Sequence, residues 1–220
     1  VAGAVGVMMA ILMGVKDHAT LARAADLGVA MQLTNICRDV GEDARAGRLY
    51  LPRDLMQAAG MDPDAFVRNP TPSAQLTHVL KRLLAEAQRR YELADEGIRQ
   101  LPRSCRPGIL AARRLYAEIG QTVVKNGYDS ISRRAVVSRA RKGQILFGLA
   151  RGPAAAPELM AEPCAAENQF LLNAVPHTEE WQRPNQPRHF SANPAWMIEL
   201  FMVMKQRDEI AIQSQSNERK

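Results

Sequence analysis

Apolar and polar residues recur along the chain with the spacing of α-helices. Residues 1–14 are almost wholly apolar, and they predict a buried helix that is too short to span a bilayer comfortably. The clearest amphipathic pattern covers residues 75–99, where apolar side chains recur at three- and four-residue steps opposite Lys and Arg. No segment alternates with the two-residue period of a strand. The pattern therefore predicts an all-α protein.

Helix-breaking residues set the limits of the other predicted helices. A second long helix is predicted over about 17–43, with Gly47 near its C-terminal cap and Pro52 preventing its continuation. Shorter helices are predicted near 52–60, 108–125 and 135–150, with one helical turn in the loop 62–73.

The composition changes after Gly152. The following stretch is rich in Pro and poor in periodic apolar residues, which is typical of a linker or a loose tail. We therefore divide the chain into a helical domain, residues 1–150, and a Pro-rich linker with an amphipathic C-terminal tail, residues 151–220. The amphipathic piece at 195–211 is predicted to dock on the domain, with a membrane interface as the alternative.

The charge and the cysteines narrow the class of protein. A formal charge of +6, from 29 Lys and Arg against 23 Asp and Glu, is compatible with nucleic acid, a membrane surface or a phosphorylated substrate. The basic residues are interleaved with acids and lack aromatic stacking platforms, which argues against a nucleic-acid partner. Three widely spaced cysteines without a CxxC pair argue for a reducing compartment, and against a disulfide framework or a zinc site.

One face of the helix predicted at 17–43 is polar. At 100° per residue, Gln32, Asn35, Asp39 and Asp43 fall within an arc of about 80°, and Gly28 continues that arc one turn earlier. Two readings are open. The stripe is a solvated face whose carboxylates pair with nearby arginines, or it is a set of oxygen ligands for Mg²⁺ that bridges to substrate phosphates beside an apolar pocket.

The segment "LGVAMQLTNICRDVGEDARAGRLYLP", residues 27–52, resembles the second aspartate-rich signature of the squalene/phytoene synthases, in wording closest to the bacterial phytoene synthases. Later segments, such as "YELADEGIRQLP" and "SRARKGQILF", are also similar, and the resemblance runs from Val1 to about Leu149. It implies an isoprenoid-synthase helical bundle with a central pocket. Residues 1–150 would be the C-terminal part of the catalytic domain, without the N-terminal helices that carry the family's first aspartate-rich motif. We expect such a fragment to be inactive alone.

The resemblance also implies a reaction. Phytoene synthases join two geranylgeranyl diphosphates head to head, through a cyclopropylcarbinyl diphosphate, to phytoene in carotenoid biosynthesis. The implied cofactor is Mg²⁺ or Mn²⁺, and no nicotinamide cofactor is expected for this branch. Two alternatives are a squalene- or hydroxysqualene-type synthase that uses farnesyl diphosphate, and a non-catalytic member of the family that acts as an assembly subunit.

The same resemblance assigns roles to residues by their place in the family's motifs. Asp39 and Asp43 would be catalytic and, with Asn35, would hold the metal. Residues matched to substrate binding are Gln32, Asn35, Arg38, Arg48, Tyr116 and Arg141. Small residues matched to the wall of the prenyl pocket are Ala2, Val5, Gly6, Ala24 and Gly28. Alternatives remain for three assignments: a supporting salt bridge for Arg38, a core position for Tyr116, and close helix packing for the small residues.

The implied setting is the cytoplasm. Because substrate and product are lipids and the surface is basic, the expected partners are geranylgeranyl diphosphate, a membrane surface touched peripherally, and other enzymes of the carotenoid pathway.

Overall fold

The computed structural model describes residues 1–150 and 156–175, except for the side chain of Ala150. Within these ranges the chain forms α-helices and 3₁₀ turns and no strand. The α-helices are α1 (Ala2–Leu12), α2 (His18–Arg45), α3 (Arg53–Ala58), α4 (Pro63–Arg68), α5 (Ala74–Gln100), α6 (Arg106–Lys125), α7 (Arg139–Phe147) and α8 (Gln169–Asn173). The 3₁₀ turns are Gly148–Ala150, Pro157–Ala161 and Ala166–Asn168. The predicted all-α class is confirmed.

Helix α2 is the longest of the described helices, and its ends are set by its caps. The side chain of Asp17 accepts a hydrogen bond from the backbone N–H of Thr20 at 2.7 Å, which satisfies one of the free donors at the start of the helix. At the other end Gly47 takes a left-handed φ of 71°. The N–H of Gly47 donates to the carbonyl oxygen of Ala44, and the N–H of Arg48 donates to the carbonyl oxygen of Asp43. These two bonds form a Schellman cap. The helix thus extends two residues beyond the predicted Asp43.

Two hydrophobic clusters lie along α2. The cluster near its N-terminal half joins α1, the C-terminal part of α5 and the start of α6, and it includes the fully buried Leu21 and Ala25. The cluster near its C-terminal half joins α3, α4 and the start of α5, and it includes the fully buried Cys37 and Met56. Since both clusters share α2 and α5, these two helices form the frame on which the other helices pack.

Helix α1 crosses α2 at two glycines. A Cβ on Gly6 would lie 2.1 Å from the carbonyl oxygen of Ala24, and a Cβ on Gly28 would lie 2.2 Å from the carbonyl oxygen of Ala2. Any side chain at either position would push the two backbones apart. Gly28 was expected to continue the polar arc, and the structure shows that the backbone of α1 lies directly against it.

Residues 156–175 differ from the linker that their Pro-rich composition predicts. The turn Pro157–Ala161 lies against α2 and α5, and Leu172 and Val175 are buried in the cluster that contains α1. The buried guanidinium of Arg23 donates to the carbonyl oxygens of Leu159, at 2.5 Å, and Glu162, at 3.1 Å. Composition reflects local backbone preference, whereas these contacts join residues far apart in sequence. The predicted amphipathic piece at 195–211 lies outside the described residues.

Helix α7 begins four residues later than the sequence pattern predicts, at Arg139 instead of about 135. The side chain of Ser138 caps it by accepting from the N–H of Arg141 at 3.2 Å.

Across residues 1–150 and 156–175, none of the helices has both the length and the apolar character needed to cross a membrane.

Candidate active site

A cavity of about 500 Å³ lies between α1, α2, α5 and α6. Its wall is mostly apolar, and its volume is in the range of small-molecule sites. All five small residues that sequence motifs matched to a pocket line it: Ala2, Val5, Gly6, Ala24 and Gly28. Two of them, Gly6 and Gly28, also permit the close crossing of α1 over α2, so pocket lining and helix packing are not exclusive here.

Much of the cavity wall was not identified from the sequence. Larger apolar side chains from all four helices and the residues that flank them complete it: Met9, Met13, Leu27, Met31, Ile98, Leu101 and Ile109. Their helical spacing is visible in the sequence, but the same spacing describes any buried helix face. Only the packing of four helices shows which of these residues surround a cavity and which fill a core.

Gln32 and Asn35 are the last residues along α2 that line this cavity, and both are polar. The Oδ1 atom of Asn35 is buried and accepts no hydrogen bond from any described residue. An unsatisfied buried acceptor costs free energy, roughly 1–3 kcal/mol. It is therefore an atom for which a donor or a cation would be favourable.

Asp39 follows one turn further along α2, and two arginines hold its carboxylate. Arg38 donates from Nε to Oδ1 at 2.7 Å and from Nη2 to Oδ2 at 2.5 Å. Arg134 donates from Nε to Oδ1 at 2.8 Å. Burial raises the pKa of Asp39, but the hydrogen bonds and charges of Arg38 and Arg134 outweigh it and hold this pKa below its usual value.

Asp43 lies one turn beyond Asp39, beside the C-terminal cap of α2. Its Oδ1 lies 3.2 Å from Nη2 and 3.3 Å from Nε of Arg48, which the Schellman cap brings back toward the helix. This longer contact with an exposed guanidinium is weaker than the contacts at Asp39.

Tyr116 and Arg141 lie on other elements. Half-buried Tyr116 on α6 packs against the cluster of Ala30, Ala87 and Tyr91. Arg141 on α7 pairs with Glu118 of α6, with Nη2 2.9 Å from Oε2. In the described part of the chain, neither side chain lines the cavity.

Arg134 was not predicted from the sequence. Its guanidinium also lies 3.4 Å from Oε2 of Glu42, so it bridges two carboxylates of α2. The only sequence signal is its place in the basic run "SRRAVVSRARK", which gives no indication of contact with a helix about ninety residues earlier.

The oxygen atoms on this face of α2 are of the type that hard divalent cations prefer as ligands. Asn35 offers an unsatisfied amide oxygen, and Asp39 and Asp43 offer carboxylates. Among the described residues, no group of three or more His, Cys, Asp or Glu side chains is placed to hold a metal ion. With two carboxylates and one amide, a cation here would take its other ligands from water and phosphate oxygens, as Mg²⁺ commonly does.

Comparisons with known proteins show what this chain is similar to. The sequence model of the squalene/phytoene synthase family matches residues 1–141. The phytoene synthase of Rhodobacter capsulatus is 44% identical over 94% of this chain and 60% of its own. The phytoene synthase of Cereibacter sphaeroides is 48% identical over 80% of this chain and 51% of its own. The 15-cis-phytoene synthase of a Paracoccus species is 49% identical over 64% of this chain and 45% of its own.

A solved structure shares the fold. The crystal structure of a dehydrosqualene synthase in complex with ligand superposes with a TM-score of 0.52 and 33% identity, over 59% of this chain and 46% of the other. The expected isoprenoid-synthase fold is thereby confirmed. The chain spans 45–60% of the length of the three relatives above.

Proposed function

The chain belongs to the squalene/phytoene synthase family, and from this membership we propose that it contributes one wall of the active site of a phytoene synthase. The proposed reaction joins two geranylgeranyl diphosphates head to head, through a cyclopropylcarbinyl diphosphate, to phytoene. The identity of 44–49% to proteins named phytoene synthase supports this branch of the family.

The observation that carries the proposal is the junction of an apolar cavity with a polar helix stripe. Along α2, the last residues that line the cavity are Gln32 and Asn35, and Asp39 and Asp43 follow on the next turns. A substrate with a long apolar tail and an anionic head matches this order of surfaces. The apolar wall would exclude water from a carbocation, while the stripe would bind the diphosphate.

We assign the ligands of a divalent cation, Mg²⁺ or Mn²⁺, to Asn35, Asp39 and Asp43. When bound, such a cation would neutralise the charge that develops on the departing diphosphate. Arg38 pairs with Asp39 and Arg48 pairs with Asp43. Their guanidinium groups are therefore within reach of a phosphate bound at the stripe. Gln32 would donate to the substrate from the cavity rim. Arg141 and Tyr116 would approach from α7 and α6.

Peripheral contact with a membrane surface and a cytoplasmic location are parts of the same proposal. A prenyl substrate and a C40 product partition into lipid, and the chain carries a net charge of +6 that would attract an anionic surface. Association with other carotenoid-pathway enzymes would serve the same transfer of lipids.

The second candidate is a synthase that uses farnesyl diphosphate. It is supported by the structural match to a protein described as a dehydrosqualene synthase. At 33% identity this match is more distant than the phytoene synthases, so we rank this function second.

The test is turnover by variants of the stripe in the full-length product of the source gene. Asp39→Asn and Asp43→Asn keep the size of each side chain and remove its charge. We expect each to lower the rate of phytoene formation from geranylgeranyl diphosphate with Mg²⁺ by about 100-fold or more, because charge stabilisation at the diphosphate is lost. Asp54→Asn, at an exposed position in the first turn of α3, is the matched control and should keep its rate. Wild-type rates in both stripe variants would refute the assignment.

A further inference from the structure

Residues 128–134, which we call the strap, lead from α6 toward α7 and lie against α2 beside Asp39. The N–H of Gly41 on α2 donates to the carbonyl oxygen of Ser130 at 3.0 Å, and Nη1 of Arg45 donates to that of Ile131 at 3.1 Å. A Cβ on Gly41 would lie 2.7 Å from the carbonyl oxygen of Ser130. Glycine at position 41 thus lets the backbone of the strap touch the backbone of α2.

The strap is fixed by contacts that do not involve its last residue. The side chain of Ile131 is buried in the cluster shared by α2, α3, α4 and α5. Oδ1 of Asp129 accepts from the N–H groups of Ile131, at 3.1 Å, and Ser132, at 2.9 Å. The backbone next to Arg134 is therefore held in place independently of where the Arg134 side chain points.

Two guanidinium groups share one oxygen of Asp39. Oδ1 accepts from Nε of Arg38 and from Nε of Arg134, at 2.7 and 2.8 Å. A carboxylate oxygen offers two lone-pair sites, so these two donors use the acceptor capacity of Oδ1. Because both lone-pair sites of Oδ1 are occupied, a divalent cation that takes Oδ1 as a ligand must displace one of the two guanidinium groups.

Arg134 is the side chain more easily displaced. Arg38 is the sequence neighbour of Asp39 and holds both carboxylate oxygens, and its side chain is 18% exposed, against 36% for Arg134. Because the strap holds its backbone, a displaced Arg134 would remain near the stripe. There its guanidinium would meet the phosphate oxygens that accompany the cation.

We propose that Arg134 couples cation binding to diphosphate binding: it competes with a bare cation for Asp39, and it binds the diphosphate once the cation has taken Asp39. This inference rests on the cation site proposed above. It makes the two ligands thermodynamically linked, so each should bind more tightly when the other is present.

The test measures Mn²⁺ binding by the full-length gene product, by titration calorimetry and by the electron paramagnetic resonance signal of free Mn²⁺, with and without inorganic pyrophosphate. We expect Arg134→Gln to bind Mn²⁺ alone roughly three- to tenfold more tightly, and to bind pyrophosphate in the presence of Mn²⁺ more weakly by a similar factor. Arg134→Lys, which keeps the charge, should restore part of both effects. The matched control is Arg133→Gln, since Arg133 contacts the carbonyl oxygen of Asn126 from the same strap. It should leave both affinities within about twofold of wild type.

Two results separate the inference from the site on which it rests. Suppose that Asp39→Asn abolishes Mn²⁺ binding, but that after Arg134→Gln at least one of the two affinities does not change in the stated direction. The coupling role is then wrong and the cation site stands. If the wild type does not bind Mn²⁺, or binds it equally well after Asp39→Asn, the cation site is wrong and the coupling role falls with it.

Discussion

At the scale of single residues, neighbouring arginines stabilise the ionised form of Asp39 more than solvent does. Burial alone would favour the neutral acid, and the guanidinium groups of Arg38 and Arg134 reverse that preference. Asn35 one turn earlier has no such partner among the described side chains, and its Oδ1 stays unsatisfied. The proposed ligand set thus combines a carboxylate held by two arginines with an amide oxygen that lacks a donor in the described part of the chain.

The pKa of Asp39 predicts a dependence of stability on pH. Its pKa in the folded protein is lowered below its ordinary value of 3.8, so the folded state binds this proton less readily than the unfolded state. The stabilisation is therefore complete well above pH 3.8 and is lost as the pH falls through the folded-state pKa. We expect the difference in free energy of unfolding between wild type and Asp39→Asn to be largest near pH 6 and to shrink steadily as the pH falls below about 4.

Urea unfolding of both proteins at several pH values, in the absence of divalent cations, measures this difference. A constant difference across the range would show that the arginines do not act through the charge of Asp39.

At the scale of elements, one buried arginine fastens residues 156–175 to the bundle. Arg23 is 1% exposed, and its Nε lies 3.1 Å from Oδ2 of Asp26 in an ion pair that is not aligned as a hydrogen bond. Asp26 also accepts from Nη1 of Arg90 at 2.8 Å. Its Nη1 and Nη2 atoms donate to the carbonyl oxygens of Leu159 and Glu162. One side chain therefore pairs with a carboxylate on α2 and with backbone carbonyls of the later segment.

Replacing Arg23 by Met should loosen this attachment. The change keeps much of the volume but leaves three carbonyl oxygens and part of the Asp26 charge without their partner. Breaking such a buried pair costs about 3–5 kcal/mol. We expect faster amide hydrogen exchange in residues 156–175, measured by mass spectrometry, and a lower free energy of unfolding.

Arg89→Gln provides the matched control for this element. Arg89 pairs with Glu162 of the same segment at 2.5 Å, but the side chains are 54% and 38% exposed. Loss of such a surface pair costs about 1 kcal/mol or less. Equal exchange rates in the two variants would contradict the anchoring role of Arg23.

At the scale of the whole molecule, local patterns in the sequence predict the helices well and their long-range contacts poorly. The angular positions of Asn35, Asp39 and Asp43 follow from helical geometry alone, so the sequence is sufficient to predict the stripe. The packing of residues 156–175 was missed because Pro-rich composition describes the local chain, whereas Arg23 reaches this segment across 136 residues. Arg134 was missed for the same reason, since no local pattern relates it to Asp39, 95 residues earlier.

The cavity shows the same division. The small residues at its wall were identified from the sequence because they occupy places in the family's motifs. The larger apolar residues were not, since a helix face in a core and a helix face at a cavity have the same period. What separates them is how four helices meet, and this is a property of the assembled fold.

The most direct test of the central claim is the product that the full-length gene product makes from two prenyl diphosphates. Purified protein would be given geranylgeranyl diphosphate and farnesyl diphosphate in separate reactions with Mg²⁺, and the extracted hydrocarbons would be identified by mass spectrometry. A C40 phytoene from the first substrate, with little or no C30 product from the second, is the result we predict. A C30 hydrocarbon as the main product, or no condensation of either substrate, would contradict it.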